Sequence, residues 1–300
     1  MARKIRRLVI GVILALVLSL VIMAVSYSAV GVTCEIGTEG LTLPAYNLSA
    51  VPQSVAEDAA ELAIEVFGDC QERCNDFVSQ LLTIYSGAKD KDFVVVFNPG
   101  GWGYKSIETT PGWCSILTGI ESELAGLSYS SLLLQHLRTE GGLPGYLDEL
   151  VERITGYRSK ADDLACRLEF LTNHIPDLRV IITGESAGTV ICDRVMSILK
   201  DNLLYSIQTG PPFWHKNTML DRTLVMTDNG IIPDSYSQGD FGAIVWDNLR
   251  YWFHLSQPVD DFGTPPHHVG ARGHDYWWQY PEVCSQITNF LEQNFGIKLV

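Results

Sequence analysis

Hydrophobic positions along the chain follow two patterns, one typical of strands and one typical of helices. The segments Phe93–Phe97 and Arg179–Thr183 are short β-branched or aromatic stretches, which favours buried parallel strands. Elsewhere apolar residues recur at helical spacing, and Ser54 with Glu57 suggests a capping box at a helix start. The predicted elements are a helix from Ser54 to about Tyr85, a strand at Phe93–Phe97, a helix at Ser115–Leu127, a strand at Tyr129–Leu137, helices at Tyr146–Tyr157 and Ala161–His174, a strand at Arg179–Thr183, a helix from Ala187 to about Lys200, strands at Leu203–Gln208 and Arg222–Thr227, and a helix from Pro281 to about Asn294.

The order of these elements predicts an α/β fold with a mostly parallel sheet flanked by helices. We expect it to form one domain over residues 54–300, because the length and the 46% hydrophobic content suit one large core. In such a sheet, ligands bind at the carboxyl ends of the strands. The segment Asp228–Asp275 is rich in glycine, proline and aromatic residues and is the least regular, so it is predicted to cover that edge.

The first 33 residues follow a different pattern. Leu8–Val25 is an apolar run without a charged residue, and four basic residues precede it. At about 1.5 Å rise per residue the run covers roughly 27 Å, close to the thickness of a bilayer's hydrocarbon core. We predict a membrane anchor over residues 1–33, with a cleaved signal peptide as the alternative, followed by a stalk at residues 34–53. Because basic flanks stay cytoplasmic, the domain is expected on the outer side of the membrane.

Charge and cysteine content narrow the range of functions. The formal net charge is −14, and all 35 Asp and Glu residues lie beyond the apolar run. This acidity argues against a nucleic-acid partner. Seven cysteines are present without paired CxxC motifs at zinc-finger spacing, so no structural metal is expected. Cys70 and Cys74 lie one helical turn apart, and each is expected to pair elsewhere or remain reduced.

The segment Gly184–Gly188, Gly-Glu-Ser-Ala-Gly, carries the main candidate chemistry. A predicted strand enters it and a predicted helix leaves it, which would place Ser186 on a sharp turn with its hydroxyl exposed. Glycine is expected on both sides, because a Cβ there would collide with the neighbouring strand and helix. We therefore predict Ser186 as a nucleophile, with a structural strand-to-helix turn as the alternative.

In this segment the chain resembles the α/β-hydrolase superfamily, and the motif is similar to the nucleophile segment of carboxylesterases and lipases. The resemblance spans roughly residues 92–295 and implies an oxyanion hole built from backbone N–H groups. It implies one donor at Ala187 and others in the glycine-rich loop Asn98–Gly103, where Gly101 and Trp102 are favoured. No two strands are evident before Phe93, which leaves open a compact, cutinase-like variant.

The resemblance also implies a late histidine as general base and an acid between it and Ser186. His274 lies just before the last predicted helix and is the preferred base, with His267 and His268 as alternatives. For the acid, Asp228 follows a predicted strand and is preferred. The alternatives, in order, are Asp234 and then Asp260 or Asp261.

Together these features predict a membrane-anchored serine hydrolase of small-molecule or lipid carboxylic esters that uses no cofactor and no metal. An acyltransferase or peptidase with the same triad, or a non-catalytic ectodomain, are the alternatives. Aromatic residues in the predicted loops would line an apolar acyl pocket or serve the core; they are Trp102, Trp113, Phe213, Trp214, Trp252, Trp277 and Trp278.

Overall fold

The computed structural model of the chain describes residues 51–139, 142–200, 203–216, 221–252 and 271–296. Its centre is a parallel sheet of five strands in the order β2-β1-β3-β4-β5. The strands are β1 (Phe93–Asn98), β2 (Ser131–Gln135), β3 (Arg179–Glu185), β4 (Leu204–Thr209) and β5 (Thr223–Met226). The helices are α1 (Gln53–Phe67), α2 (Gln71–Ala88), α3 (Pro111–Gly126), α4 (Gly142–Thr155), α5 (Arg158–His174), α6 (Ala187–Leu199), α7 (Ser235–Gln238), α8 (Phe241–Trp252) and α9 (Pro281–Phe295), with a short 3₁₀ helix at Ile107–Thr109.

Two apolar layers cover the two faces of the sheet. Val94 and Val96 of β1 face the layer formed with α1, α2, α5 and α6. Phe93, Val95 and Phe97 face the opposite layer, formed mainly with α3 and α9. All residues of β1 are buried, as a strand covered on both faces requires. Full burial of one such side chain contributes about 1.5–3 kcal/mol, so burial on both faces stabilises β1 and the position of its ends.

The predicted α/β fold with a parallel sheet flanked by helices is confirmed. The sheet register brings the carboxyl ends of β1, β3 and β4 side by side, with Asn98 opposite Gly184 and Glu185 opposite Thr209. The loops that leave these three strands therefore start from one edge. This is the edge where the candidate chemistry was expected.

Several predicted element boundaries differ in the structure. The helix predicted from Ser54 to Tyr85 breaks into α1 and α2 at Gly68, whose φ of 60° ends the first helix. The capping-box prediction is wrong, because α1 begins at Gln53 and has no side-chain cap. Glu57 instead accepts a hydrogen bond from the Gln53 amide at 2.7 Å. Helix α8 lies in the segment predicted to be irregular.

The predicted anchor at residues 1–33 and most of the stalk lie outside the described residues. Within the residues that the structure describes, no helix is long and apolar enough to cross a bilayer. Six of the cysteines fall in the described segments, and all six are free thiols there, including Cys70 and Cys74.

Candidate active site

Ser186 occupies a strained turn between β3 and α6. Its φ of 49° and ψ of −117° lie outside the regions that residues with a Cβ ordinarily adopt. Such a conformation costs of order 1–3 kcal/mol and persists only where the surroundings fix it. Here the Ser186 N–H donates to the Thr209 carbonyl at the end of β4 (2.9 Å), and the Ser186 carbonyl accepts from the N–H of Thr189 (3.0 Å). The turn is thus held by both the sheet and the helix.

The glycines on either side of this turn allow the close approach that it requires. A Cβ on Gly184 would lie 2.8 Å from the carbonyl carbon of Gly188 in the first turn of α6. A Cβ on Gly188 would lie 2.2 Å from the carbonyl oxygen of Asn98 at the end of β1. Both obstacles are backbone atoms, so any other residue would push the helix away from the sheet.

His274 lies on a turn that packs against the loop after β5. The N–H of His274 donates to the Ala271 carbonyl (3.2 Å), which closes the turn. The N–H and hydroxyl of Ser235 both donate to the Arg272 carbonyl, at 3.0 and 3.1 Å. Between them, Gly273 adopts a φ of 76° against the carbonyl oxygens of Ile232 and Pro233. This contact fixes where the imidazole is presented.

The imidazole of His274 bonds to Asp234. Its Nδ1 lies 2.8 Å from Oδ2 of Asp234, whose side chain is fully buried. The same Oδ2 accepts from the hydroxyls of Tyr276 and Ser237, each at 2.9 Å. Oδ1 accepts from the N–H groups of Tyr236 and Ser237, so Asp234 also caps α7. With five donors aimed at it, the carboxylate is held ionised and in one orientation.

The two side chains shift each other's pKa in the directions expected of an ion pair. Burial raises the pKa of Asp234, but the hydrogen bond and charge of His274 and the donors of Ser237 outweigh it, so the pKa is lowered. Burial lowers the pKa of His274, but the hydrogen bond and charge of Asp234, followed by the charges of Glu185 and Asp275, outweigh it and the pKa is raised. His274 therefore accepts a proton more readily than a free histidine.

Asp228, the preferred acid from the sequence, does not contact His274. Its exposed carboxylate accepts from the N–H of Gly230 at 2.9 Å, and its backbone pairs with Pro233 in an antiparallel bridge. This bridge folds residues 228–233 into a closed loop, so the residue directed towards the histidine is the one just after it. The partner of His274 is therefore Asp234, the first alternative, and not Asp228.

The ring of His274 lies at the edge of the sheet that carries Ser186. A Cβ on Gly210, the residue after β4, would lie 2.7 Å from Cε1 of His274. Thr209, one residue earlier, accepts the N–H of Ser186. Glu185, on the other side of the nucleophile, is close enough for its charge to raise the pKa of the histidine. The Ser186 turn and the pair of His274 and Asp234 therefore lie at the same edge of the sheet, near the end of β4.

Other histidines in the described residues have structural partners. His136 is buried and its Nδ1 bonds to Oδ1 of Asn98 at 2.8 Å; burial drives its pKa well below the ordinary value, so it is neutral. His174 pairs with Asp58 at 2.9 Å. The alternatives His267, His268, Asp260 and Asp261 lie outside the described residues.

The glycine-rich loop after β1 packs against the turn that carries Ser186. The amide of Asn98 donates to the Thr183 carbonyl at 3.2 Å, and the N–H of Gly100 donates to Oε2 of Glu185 at 3.1 Å. A hydrogen bond from Gly103 N–H to the Gly100 carbonyl closes a tight turn over Gly101 and Trp102. Ala187 is the first residue of α6, where N–H groups have no partner within the helix. Gly100 and Ala187 therefore lie beside the Ser186 turn, and Gly101 and Trp102 follow Gly100 in the same loop.

The aromatic residues divide between core and surface. Trp113 is buried, and its indole N–H donates to the Thr209 hydroxyl at 3.2 Å. Trp277 and Trp278 pack against the same core layer, whereas Trp102, Phe213 and Trp214 are exposed. The side chain of Trp252 lies outside the described part. A small pocket beside Glu185 is lined by Thr110, Pro111, Gly112, Trp113, Glu185, Asp275, Tyr276 and Trp277.

Tyr276 and Glu185 lie at the site, although the sequence predicted no role for either residue. Tyr276 follows His274 by two residues and donates to the same carboxylate; burial and the charge of Asp234 raise its pKa well above the ordinary value, so it stays protonated. Glu185 precedes the nucleophile, and burial raises its pKa. Both belong to segments that the sequence had singled out, but only the fold shows which groups they meet.

Known proteins give few direct comparisons. No protein-family model matches the sequence, and no curated protein matches it. Among solved structures the chain is similar to Trichoderma reesei cutinase in complex with a C11Y4 phosphonate inhibitor. The two are 13% identical, with a TM-score of 0.40, over 82% of this chain and 94% of the cutinase. A likeness at this level identifies no family, so the chemistry is inferred from the site itself.

Proposed function

We propose that the chain is an α/β-hydrolase that cleaves carboxylic esters through an acyl intermediate on Ser186. The observation that carries the proposal is the 2.8 Å bond between His274 and buried Asp234, at the same sheet edge as the strained Ser186 turn. A serine is a weak nucleophile unless a base takes its proton and a third group orients that base. A non-catalytic ectodomain would need neither the strain nor the buried pair.

The hydrogen bond fixes the role of each imidazole nitrogen. Because Asp234 is ionised and only accepts, Nδ1 of His274 carries the proton and Nε2 carries the lone pair. In the proposed reaction Nε2 takes the proton of the Ser186 hydroxyl as Oγ bonds to the ester carbonyl carbon. The imidazolium then returns that proton to the leaving alkoxide as the carbon–oxygen bond breaks. Water repeats the sequence and releases the acid.

Negative charge develops on the carbonyl oxygen in both halves of the reaction. Fixed N–H donors stabilise it, and we assign them to Ala187 and to the loop over Gly101 and Trp102. The positive end of the α6 dipole lies at the same place, because Ser186 is the N-cap of that helix.

The surroundings of His274 favour an apolar substrate. The ring of Tyr236 lies 4.8 Å from the imidazole, Phe213 follows at 6.1 Å from Tyr236, and Phe241 at 4.8 Å from Phe213. Phe213 and Phe241 are exposed, so this aromatic track opens to the surface. We propose esters with an extended hydrocarbon group as substrates, and a position outside the cytoplasm at the membrane, which the apolar run Leu8–Val25 supports.

The test uses the full chain in detergent with a fluorophosphonate probe and p-nitrophenyl esters of graded acyl length. We expect covalent labelling and hydrolysis that Ser186→Ala abolishes. Ser197→Ala, on the exposed side of the same helix α6, is the matched control and should retain both. Labelling that survives Ser186→Ala, or the absence of labelling in the unmodified protein, would refute the proposed function.

A further inference from the structure

We propose that the buried ion pair of Arg138 and Glu149 positions the oxyanion loop and selects Trp102 as its donor. The inference rests on the proposed function and concerns residues outside the triad. Arg138 is 1% exposed and Glu149 is 0% exposed, and their side chains meet at 3.0 Å. Neither residue contacts Ser186, so both are positioning residues and not catalytic ones.

Arg138 and its neighbour bind the loop through its carbonyl groups. The guanidinium donates to the carbonyls of Pro99 and, at 3.4 Å, Gly101. The backbone N–H of Arg138 donates to the Gly103 carbonyl at 2.9 Å, and the Thr139 hydroxyl donates to the Trp102 carbonyl at 3.0 Å. The carbonyls of Pro99 and of residues 101–103 are therefore all engaged from the side of Arg138.

Because the peptide bond is planar, the direction of each bound loop carbonyl also sets the direction of the N–H group that follows it. In a trans peptide the carbonyl and the following N–H point in opposite directions, and the described residues contain no cis peptide. Because Arg138 binds the Pro99 carbonyl, the N–H of Gly100 points away from it, and it does so onto Glu185, next to the nucleophile. The same guanidinium binds the Gly101 carbonyl, so the N–H of Trp102 points to the nucleophile's side as well.

The other candidate donors are less suited to this task. The N–H of Gly100 is occupied by Glu185 at 3.1 Å. The N–H of Gly101 shares a peptide with the Gly100 carbonyl, which the turn uses to accept from Gly103. Trp102 therefore joins Ala187 as the donor pair, and Gly101 serves the turn.

Glu149 holds the guanidinium of Arg138 in place. One of its oxygens accepts from Arg138 at 3.0 Å and from the Tyr157 hydroxyl at 2.8 Å, and Arg153 lies 3.8 Å from it. Arg153 also donates to the Gly101 carbonyl at 2.9 Å. Burying two charges carries a large desolvation penalty, and an apolar pair of similar volume often serves stability as well or better. What an apolar pair cannot supply is a planar fork for two carbonyls.

A second buried pair provides the matched control. Arg167 and Asp163 meet at 2.9 Å and are both nearly fully buried, but the other partners of Arg167 are on α2: its guanidinium donates to the side chain of Gln80 and lies 4.6 Å from the ring of Phe77. Arg138→Met and Arg167→Met thus remove the same chemistry from two comparable environments. Of these two arginines, only Arg138 contacts the loop.

The experiment compares kcat and KM for p-nitrophenyl butyrate in these variants, with the folded fraction measured by near-ultraviolet circular dichroism. We expect Arg138→Met to lower kcat by about 10²- to 10³-fold with KM little changed, the loss found when one oxyanion donor is removed. Arg167→Met should keep kcat within about twofold per folded molecule. Equal kcat in the two variants would overturn the inference.

A double variant covers the case in which Arg138→Met does not fold. Arg138→Met with Glu149→Leu removes both charges and should restore the melting temperature, while kcat stays low because the guanidinium that joins the Pro99 and Gly101 carbonyls is still missing. Recovery of kcat together with stability would show a merely structural pair and refute the inference. A wild-type protein that reacts with neither probe nor ester would instead refute the proposed function, on which the inference depends.

Discussion

Replacing Asp234 with asparagine removes one charge from the site and exchanges the acceptor at Oδ2 for a donor. The carboxylate Oδ2 accepts from His274, Tyr276 and Ser237, whereas an amide NH₂ at that place can only donate. Oδ1 can still cap α7 through Tyr236 and Ser237, so the helix start is kept. The variant therefore changes the histidine's partner without removing the loop's anchor.

The expected loss follows from the tautomer. Facing an NH₂ group, His274 places its proton on Nε2 and presents the lone pair of Nδ1 to residue 234, so no base faces the Ser186 hydroxyl. We expect kcat/KM of Asp234→Asn to fall about 10³- to 10⁴-fold, the effect of the same change in a serine protease triad. That corresponds to about 4 to 5.5 kcal/mol of transition-state stabilisation.

The assay is initial-rate hydrolysis of a p-nitrophenyl ester, with Asp228→Asn as the matched control. Asp228 is exposed, and the hydrogen bond that its side chain accepts from the N–H of Gly230 can be kept by an amide oxygen. We expect the control to retain kcat/KM within about twofold. If Asp228→Asn loses activity and Asp234→Asn keeps it, the assignment of the acid is reversed.

The raised pKa of His274 and the close packing at Gly188 lead to three further predictions. The pKa of His274 is raised, and only the neutral imidazole can act as a base. In a pH–rate profile, kcat/KM should therefore rise with pH with a midpoint above 6.5. A midpoint below 6.5 would contradict the ion pair. The same raised pKa means that protonated His274 stabilises the fold below pH 6.5, a contribution lost as pH rises through the folded pKa. Gly188→Ala places a Cβ 2.2 Å from the backbone oxygen of Asn98 and should lower the free energy of unfolding by about 1–3 kcal/mol in denaturant titrations. Gly126→Ala, where nothing lies within 4 Å, should cost nothing, and equal effects would show that the close approach is not needed.

The sequence predicted the fold and the turn of Ser186 because both depend on local patterns. The chain runs from a β-branched strand through a motif with two glycines into a helix. The local sequence pattern of each segment predicts its own secondary structure. The break at Gly68 and helix α8 were missed because a glycine inside a periodic pattern and an aromatic-rich segment are both ambiguous without their packing.

The acid could not be chosen from the sequence for a physical reason. Asp228 and Asp234 both follow β5, and only the backbone bridge from Asp228 to Pro233 decides which one faces the histidine. The loop that this bridge closes packs against Gly273 through the Ile232 and Pro233 carbonyls, a contact between segments about 40 residues apart. No local pattern reports such a contact.

Three separate sets of contacts hold the parts of the proposed site, so the contribution of each set can be tested separately. Close backbone packing of the sheet fixes Ser186, a contact between two loops fixes His274 and Asp234, and a buried ion pair fixes the loop of Trp102. Removing the ion pair should therefore weaken stabilisation of the oxyanion while the histidine keeps its partner and its raised pKa. Changing Asp234 should abolish the base while the oxyanion donors remain. A variant at Arg138 that also moved the midpoint of the pH–rate profile would show that the loop and the histidine are coupled, which the separate contacts do not predict.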